Sequence, residues 1–223
     1  MKKVIIISAH PDDETLGAGG TILRHKKNGD DLYWLIATSM NESNSYSSEE
    51  KRIRKNEIEK VSRQYDFKKV FQLKFKPSEL NSSCLKELIT QISDVFNLIN
   101  PNIVYNINAS DIHSDHRILS KAVFSCTKSF RFPSITRVLT YECLSETEFS
   151  NESLGTPFSP NYFVDISDFI DKKIEIMKIY KSELGINPFP RSEDNIRALA
   201  KYRGSTINTN YAESFRIIKM INK

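Results

Sequence analysis

The hydrophobic positions of this chain fall into short solid runs separated by stretches of helical period. Val4 to Ile7 is a run of β-branched residues, which predicts a strand over 4–9 buried on both faces. Gly17, Gly19 and Gly20 predict a turn, with Ile22, Leu23 and the residues through Lys27 helical behind it. Leu32 to Thr38 is a second apolar run of strand length. Residues 48–64 carry only a sparse stripe, Ile53, Ile58 and Val61, which predicts a partly exposed helix. Val70 to Leu73 is a short strand candidate, and Leu88, Ile89, Ile92, Val95, Phe96 and Ile99 recur at helical spacing ahead of Pro101.

Ile103 to Ile107 reads as a fourth strand, followed by a helix through Ile118, Leu119, Val123 and Phe124. Buried strands alternating with helices predict an α/β fold, Rossmann-like, with a mostly parallel sheet flanked by helices. The last third is less regular and reads as a C-terminal extension of mixed strands and helices. Strands are predicted over 134–143 and 161–166, helices over 167–180 and 191–202, and a loop over 145–161. No repeat or linker interrupts the pattern, so 1–223 is expected to be a single domain.

Composition narrows the class. The chain has 223 residues, 39% of them hydrophobic, with 13 Phe and 9 Tyr spread along it, which argues against disorder. A formal charge of +4 is distributed among acids and bases, and no nucleic-acid-binding signature accompanies it. Cys84, Cys126 and Cys143 are odd in number and widely spaced, and read as reduced thiols. The first apolar run is too short for a signal peptide, and no window is long enough to span a membrane. A cytoplasmic protein without nucleic-acid partners is expected, its oligomeric state open, a homo-oligomer included.

The chemistry concentrates after two strands. Ala9-His10-Pro11-Asp12-Asp13-Glu14 follows the first, and Asp111-Ile112-His113-Ser114-Asp115-His116-Arg117 follows the fourth. In open α/β sheets ligands bind beyond the carboxyl ends of strands. Crowded carboxylates repel one another unless a cation sits among them, and a His/Asp/His set leaves a position open, as a catalytic zinc requires. Each cluster also has a plainer reading. Asp12, Asp13 and Glu14 suit a helix N-terminus, and His113 and His116 suit a solvated loop. The glycines at 17–20 do not match the spacing of a dinucleotide-binding turn and read more simply as close helix–sheet packing. No HExxH helix supports a peptidase.

These motifs, with Gly19-Gly20-Thr21, Arg54 and Glu57, Lys172-Lys173, Arg203-Gly204 and Tyr211-Ala212-Glu213, resemble the LmbE-like (PIG-L) family of zinc-dependent N-deacetylases acting on N-acetylglucosamine derivatives. The resemblance implies one Zn2+ held by His10, Asp13 and His116, although zinc, iron and other divalent ions are not distinguished. It implies Asp12 as general base, a protonated His113 stabilising the oxyanion, and Asp115 orienting that imidazole. The substrate would be a small N-acetylated sugar, nucleotide- and lipid-linked sugars included, and the charge balance mildly favours an anionic one. Arg54 faces substrate by the family pattern or pairs with Glu57 or Glu50 at the surface. Glu14 either backs His10 or caps the helix. Arg203 and Tyr211 have weaker claims, and Trp34 and Tyr105 read as core. Ser114 stands where the family commonly has proline. The rival reading is a sugar-binding module that keeps the metal site without catalysis.

Overall fold

The computed structural model describes residues 1–222. Seven strands form one sheet: β1 (Lys3–Ser8), β2 (Asp31–Thr38), β3 (Lys69–Phe75), β4 (Ile103–Ile107), β5 (Arg137–Tyr141), β6 (Tyr162–Asp165) and β7 (Ala212–Met220). Their order is β3-β2-β1-β4-β5-β7-β6. The first five strands are parallel neighbours, while β7 runs antiparallel to both β5 and β6. Six helices flank the sheet: α1 (Asp13–Lys27), α2 (Ser48–Tyr65), α3 (Leu85–Ile99), α4 (Ser114–Ser125), α5 (Ile170–Met177) and α6 (Glu193–Ser205). The α/β, mostly parallel architecture is the one the periodicity predicts.

The hydrophobic runs fold as their chemistry demands. Val4 to Ile7 are completely buried in the middle of the sheet. At roughly 1.5–3 kcal/mol per fully buried large apolar side chain, such strands are strongly held inside. The stripe of α3 buries Leu88, Ile92, Val95, Phe96 and Ile99. Trp34 and Tyr105 are core residues, and the Trp34 indole N–H donates to Ser8 Oγ at 2.8 Å.

Two local expectations are corrected. The glycines after β1 form no turn: α1 begins at Asp13 and carries Gly17, Gly19 and Gly20 inside it. A Cβ on Gly17 would meet the Tyr141 ring at 2.1 Å, so a missing side chain lets the helix lie against the sheet. In the last third, α5 is shorter than the 167–180 expected, and β7 was not foreseen as an element. Its first half buries Glu213 and Ser214, so alternation is blurred by polar residues with tertiary partners.

Topology places the site. After β3 the chain returns to the other side of β1, so β1 and β4 are parallel neighbours leading to opposite flanks. The crevice beyond their carboxyl ends is the switch point where ligands bind in such sheets.

Candidate metal centre

The turn after β1 is built by its own carboxylates. Asp13 Oδ2 accepts the backbone N–H groups of Ala9 at 3.0 Å and His10 at 2.8 Å. Glu14 Oε2 accepts the N–H of Asp12 at 3.0 Å, and its other oxygen takes the hydroxyls of Thr15 and Tyr180. Glu14 thus serves the backbone at the helix start and does not back His10. Asp12 precedes α1 but its side chain makes no capping bond; φ is 132° and ψ −34°. Its buried carboxyl lines a cavity instead. Helix capping therefore does not account for Asp12.

The second cluster enters from β4 and the start of α4. His116 Nδ1 lies 2.9 Å from Asp111 Oδ2, and the other Asp111 oxygen accepts from Asn108 and Thr147, both at 2.8 Å. This fixes the His116 tautomer and leaves Nε2 free, 3.4 Å from Asp13 Oδ1. His113 is the N-cap of α4, its Nδ1 accepting the Asp115 N–H at 3.1 Å. The three rings cluster, with centroids 4.7 Å apart for His10–His113 and 5.6 Å for His10–His116.

Asp115 differs from expectation. Its carboxylate lies 3.0 Å from His10 Nε2 and accepts the backbone N–H groups of Ser78 at 2.7 Å and Leu80 at 3.0 Å. It therefore orients His10, and only its backbone touches His113. With Asp115 on Nε2, the His10 nitrogen left over is Nδ1, 3.9 Å from Asp13 Oδ2. Each candidate ligand imidazole is thus backed by its own carboxylate, the arrangement that orients histidines on metals.

Donor atoms from His10, Asp13 and His116 lie within 4.8 Å of one another. The chemistry of the set fits a divalent ion: two imidazole nitrogens and a carboxylate, close enough together to share one. His10, His113 and Asp115 also meet that spacing, but the Asp115 carboxylate already holds His10 and two backbone amides.

Electrostatics separates the acids. Burial works against ionising Asp13, yet His116 and His10 outweigh it and hold its carboxyl well below the usual range. Burial, reinforced by the Asp13 and Glu183 charges, pushes Asp12 well up, although Arg191 and Arg54 oppose it. Burial alone would lower His116, but Asp13 and Asp111 raise it to about 10. His113 moves down to about 4 through burial and the neighbouring His10 and His116. A neutral ring whose Nδ1 accepts a backbone N–H carries its proton on Nε2, so the protonated His113 expected from the sequence is corrected to a neutral N–H donor.

The cavity is about 210 Å³. That is below the ~300–1,000 Å³ of sites that engulf a drug-sized ligand. Besides the motif residues, its wall includes Tyr46, Arg54, Cys143, Glu146, Glu183 and Arg191. Arg54 is buried, so the expected surface pair is corrected: it contacts Glu57 at 3.3 Å, Glu183 at close range and Ser182 at 3.2 Å, and donates to the Pro11 carbonyl at 2.9 Å. Arg191 is bonded to Ser145 Oγ and the Glu183 carbonyl. Sequence reasoning missed Arg191, Glu183 and the role of Asp111. Only Asp111 had a signal, five residues before His116; the others sit in irregular chain. Arg203 pairs with Glu142 away from this cavity. The cysteines are free thiols. Among the described residues no helix is long and apolar enough to cross a membrane.

Comparison with known proteins places the chain in context. The family model described as GlcNAc-PI de-N-acetylase (PIG-L) matches residues 5–127. The diacetylchitobiose deacetylase of Thermococcus kodakarensis is 29% identical over 225 residues, covering 98% of this chain and 84% of that protein. The structure of N,N'-diacetylchitobiose deacetylase from Pyrococcus horikoshii superposes with a TM-score of 0.78 at 23% identity, covering 98% of this chain and 84% of that one. The 4-carboxy-2-hydroxymuconate hydratase GalB from Pseudomonas putida does so at 0.71 and 18%, covering 100% and 98%. The two superpositions share the fold with this chain; the fold alone does not separate amide hydrolysis from hydration.

Proposed function

We infer the function from one premise: the chain belongs to the GlcNAc-PI de-N-acetylase (PIG-L) family. It is a metal-dependent amide hydrolase of residues 1–223, acting as one catalytic domain, that removes acetate from an N-acetylated saccharide. The observation that carries this reading is the division of labour between adjacent aspartates. Asp13 is committed to His10 and His116, whereas the Asp12 carboxyl stands in the cavity wall with its proton affinity raised.

His10, Asp13 and His116 would hold the ion, with zinc the best match to an N/N/O donor set. When bound, such an ion polarises a carbonyl and brings the pKa of water from 15.7 towards ~7. Asp12 accepts the proton of the attacking water. His113 offers its Nε2–H to the acetamide oxygen as charge develops there. Asp115 and Asp111 hold the two ligand imidazoles in place. Asp12 then returns a proton to the departing amine, the step that makes a carboxyl of raised pKa useful near neutrality.

The charges of the wall bear on substrate class. Arg54 and Arg191 are the guanidinium groups lining the cavity, and both are engaged by Glu183. Asp12, Asp13 and Glu146 stand nearby without a lysine to balance them. This supports a neutral saccharide over the phosphorylated or nucleotide-linked sugars that net charge alone suggested.

The test is release of acetate and free amine from neutral and phosphorylated N-acetylhexosamines and N-acetylated disaccharides. Asp12→Asn is expected to lower kcat by about 10²–10⁴-fold with metal content unchanged. Stoichiometric metal without turnover of any acetamide would favour the binding module instead, and water addition to an unsaturated acid would favour a hydratase.

A further inference from the structure

The backbone of Asp12 lies where an L-residue is strained, at φ 132°. A residue stays in such a conformation only when its surroundings hold it there. The one peptide group before it, between Pro11 and Asp12, is gripped at both its polar atoms by buried side chains. Before Asp12, the Pro11 carbonyl accepts Arg54 Nη1 at 2.9 Å. At Asp12 itself, the N–H is taken by Glu14 Oε2 at 3.0 Å. These two grips share a support: Tyr180 donates its hydroxyl to Glu14 at 2.9 Å and lays its ring 5.6 Å from the Arg54 guanidinium. Arg54 is in turn anchored by Glu57 and Glu183, which leaves it little to offer a substrate.

We propose that Arg54, working with Glu14, is a positioning residue that clamps the strained Pro11–Asp12 backbone and so aims the Asp12 carboxyl into the cavity, rather than a substrate-binding residue. The role as an aimer of the base rests on the reading of Asp12 given above. The clamp itself does not, which allows the two to be tested apart.

The clamp has a signature independent of activity. In ordinary backbone alanine is more stable than glycine, but at a positive φ the order inverts. With Arg54 in place, the metal-loaded Asp12→Gly protein is expected to melt several degrees above Asp12→Ala. With Arg54→Gln in the background, the loop is free to relax, and that advantage is expected to vanish or reverse. An unchanged glycine advantage would overturn the clamp, whatever the protein turns out to catalyse. If Arg54→Gln does not fold, Glu14→Met, which leaves no oxygen to accept the Asp12 N–H, is put in its place in the same comparison, with the same expectation.

Kinetics on an acetamide substrate then separates aiming from binding. Arg54→Gln is expected to lower kcat at least 30-fold while KM stays within threefold and metal content is unchanged. Arg54→Lys, which keeps the charge facing Glu183, is expected to recover part of the loss. A KM raised tenfold or more at preserved kcat would make Arg54 a substrate contact and overturn the proposal. Absence of turnover in the unaltered protein would sink the deacetylase reading while leaving the melting comparison to decide the clamp.

Discussion

Two histidines in this molecule sit beside carboxylates, His25 half-buried and His116 fully buried, and they differ in how the second nitrogen is used. His25, on α1, has Nδ1 2.8 Å from Asp30 and Nε2 3.0 Å from the Tyr105 hydroxyl, so both nitrogens are spent. His116, beyond β4, has only Nδ1 spent, on Asp111, and turns Nε2 toward Asp13. The first is a satisfied cluster, and burial moves the His25 pKa down. The second turns its remaining nitrogen to a carboxylate, which favours a proton there when no ion is bound, and its pKa moves up. A histidine–aspartate pair is therefore no mark of function by itself. An imidazole whose second nitrogen is left over is.

The largest expected break of this contrast is His116→Ala, which removes one of the three proposed metal donors. Metal retention after dialysis and deacetylation should both fall to background, while His25→Ala keeps stoichiometric metal. Asp111→Asn is next: losing the charge behind His116 should weaken metal affinity by roughly 10–100-fold, read by competition with a chromophoric chelator. Full affinity in that variant would mean that Asp111 does not orient the ligand.

Protons sharpen the comparison. The His116 pKa of about 10 in the folded protein lies above the ordinary value of 6.5. Its contribution to the stability of the metal-free protein is thus fully present below pH 6.5 and is lost as pH rises towards 10. The metal-free protein should melt progressively lower from pH 7 to 9.5, whereas the loaded protein, its proton already displaced, should not follow. Metal affinity should rise about tenfold per pH unit over the same window, with one proton released per ion, measurable by titration in buffers of different ionisation heat. The smallest effect on function is expected at His25→Ala. It strands Asp30 and the buried Tyr105 hydroxyl, costing about 1–3 kcal/mol of stability, with kcat within twofold.

Much of the fold was legible because strands buried on both faces must be largely apolar, as Val4 to Ile7 are throughout and Ile103 to Ile107 are apart from Asn106. The paired loops beyond β1 and β4 were legible for the same reason: strands alternating with helices run parallel, so the loops that follow them share one edge of the sheet. β7 was not, since Glu213 is buried there to bond the backbone of Gly20 and Thr21 and to pair with Lys173. Those partners lie 193, 192 and 40 residues away. The glycines of α1 read from sequence both as a turn and as close helix–sheet packing; only the second holds, and what excludes the side chains of Gly17 and Gly20, Tyr141 and Ile166, belongs to other elements.

What the order of residues supplied by itself was the proposed set of donors, His10, Asp13 and His116, and the kind of sheet that would carry them. Side-chain type and burial period are local properties, written residue by residue. Which carboxylate serves which imidazole was decided only by the tertiary structure. Asp115 adjoins His113 in the chain yet bonds His10, 105 residues away, because α4 turns its side chain across the crevice toward β1. Likewise Arg54 lies on a charged helix that reads as surface, and packing buries it against Pro11. Hydrogen bonds depend on distances of a few ångströms, and only the folded chain sets those.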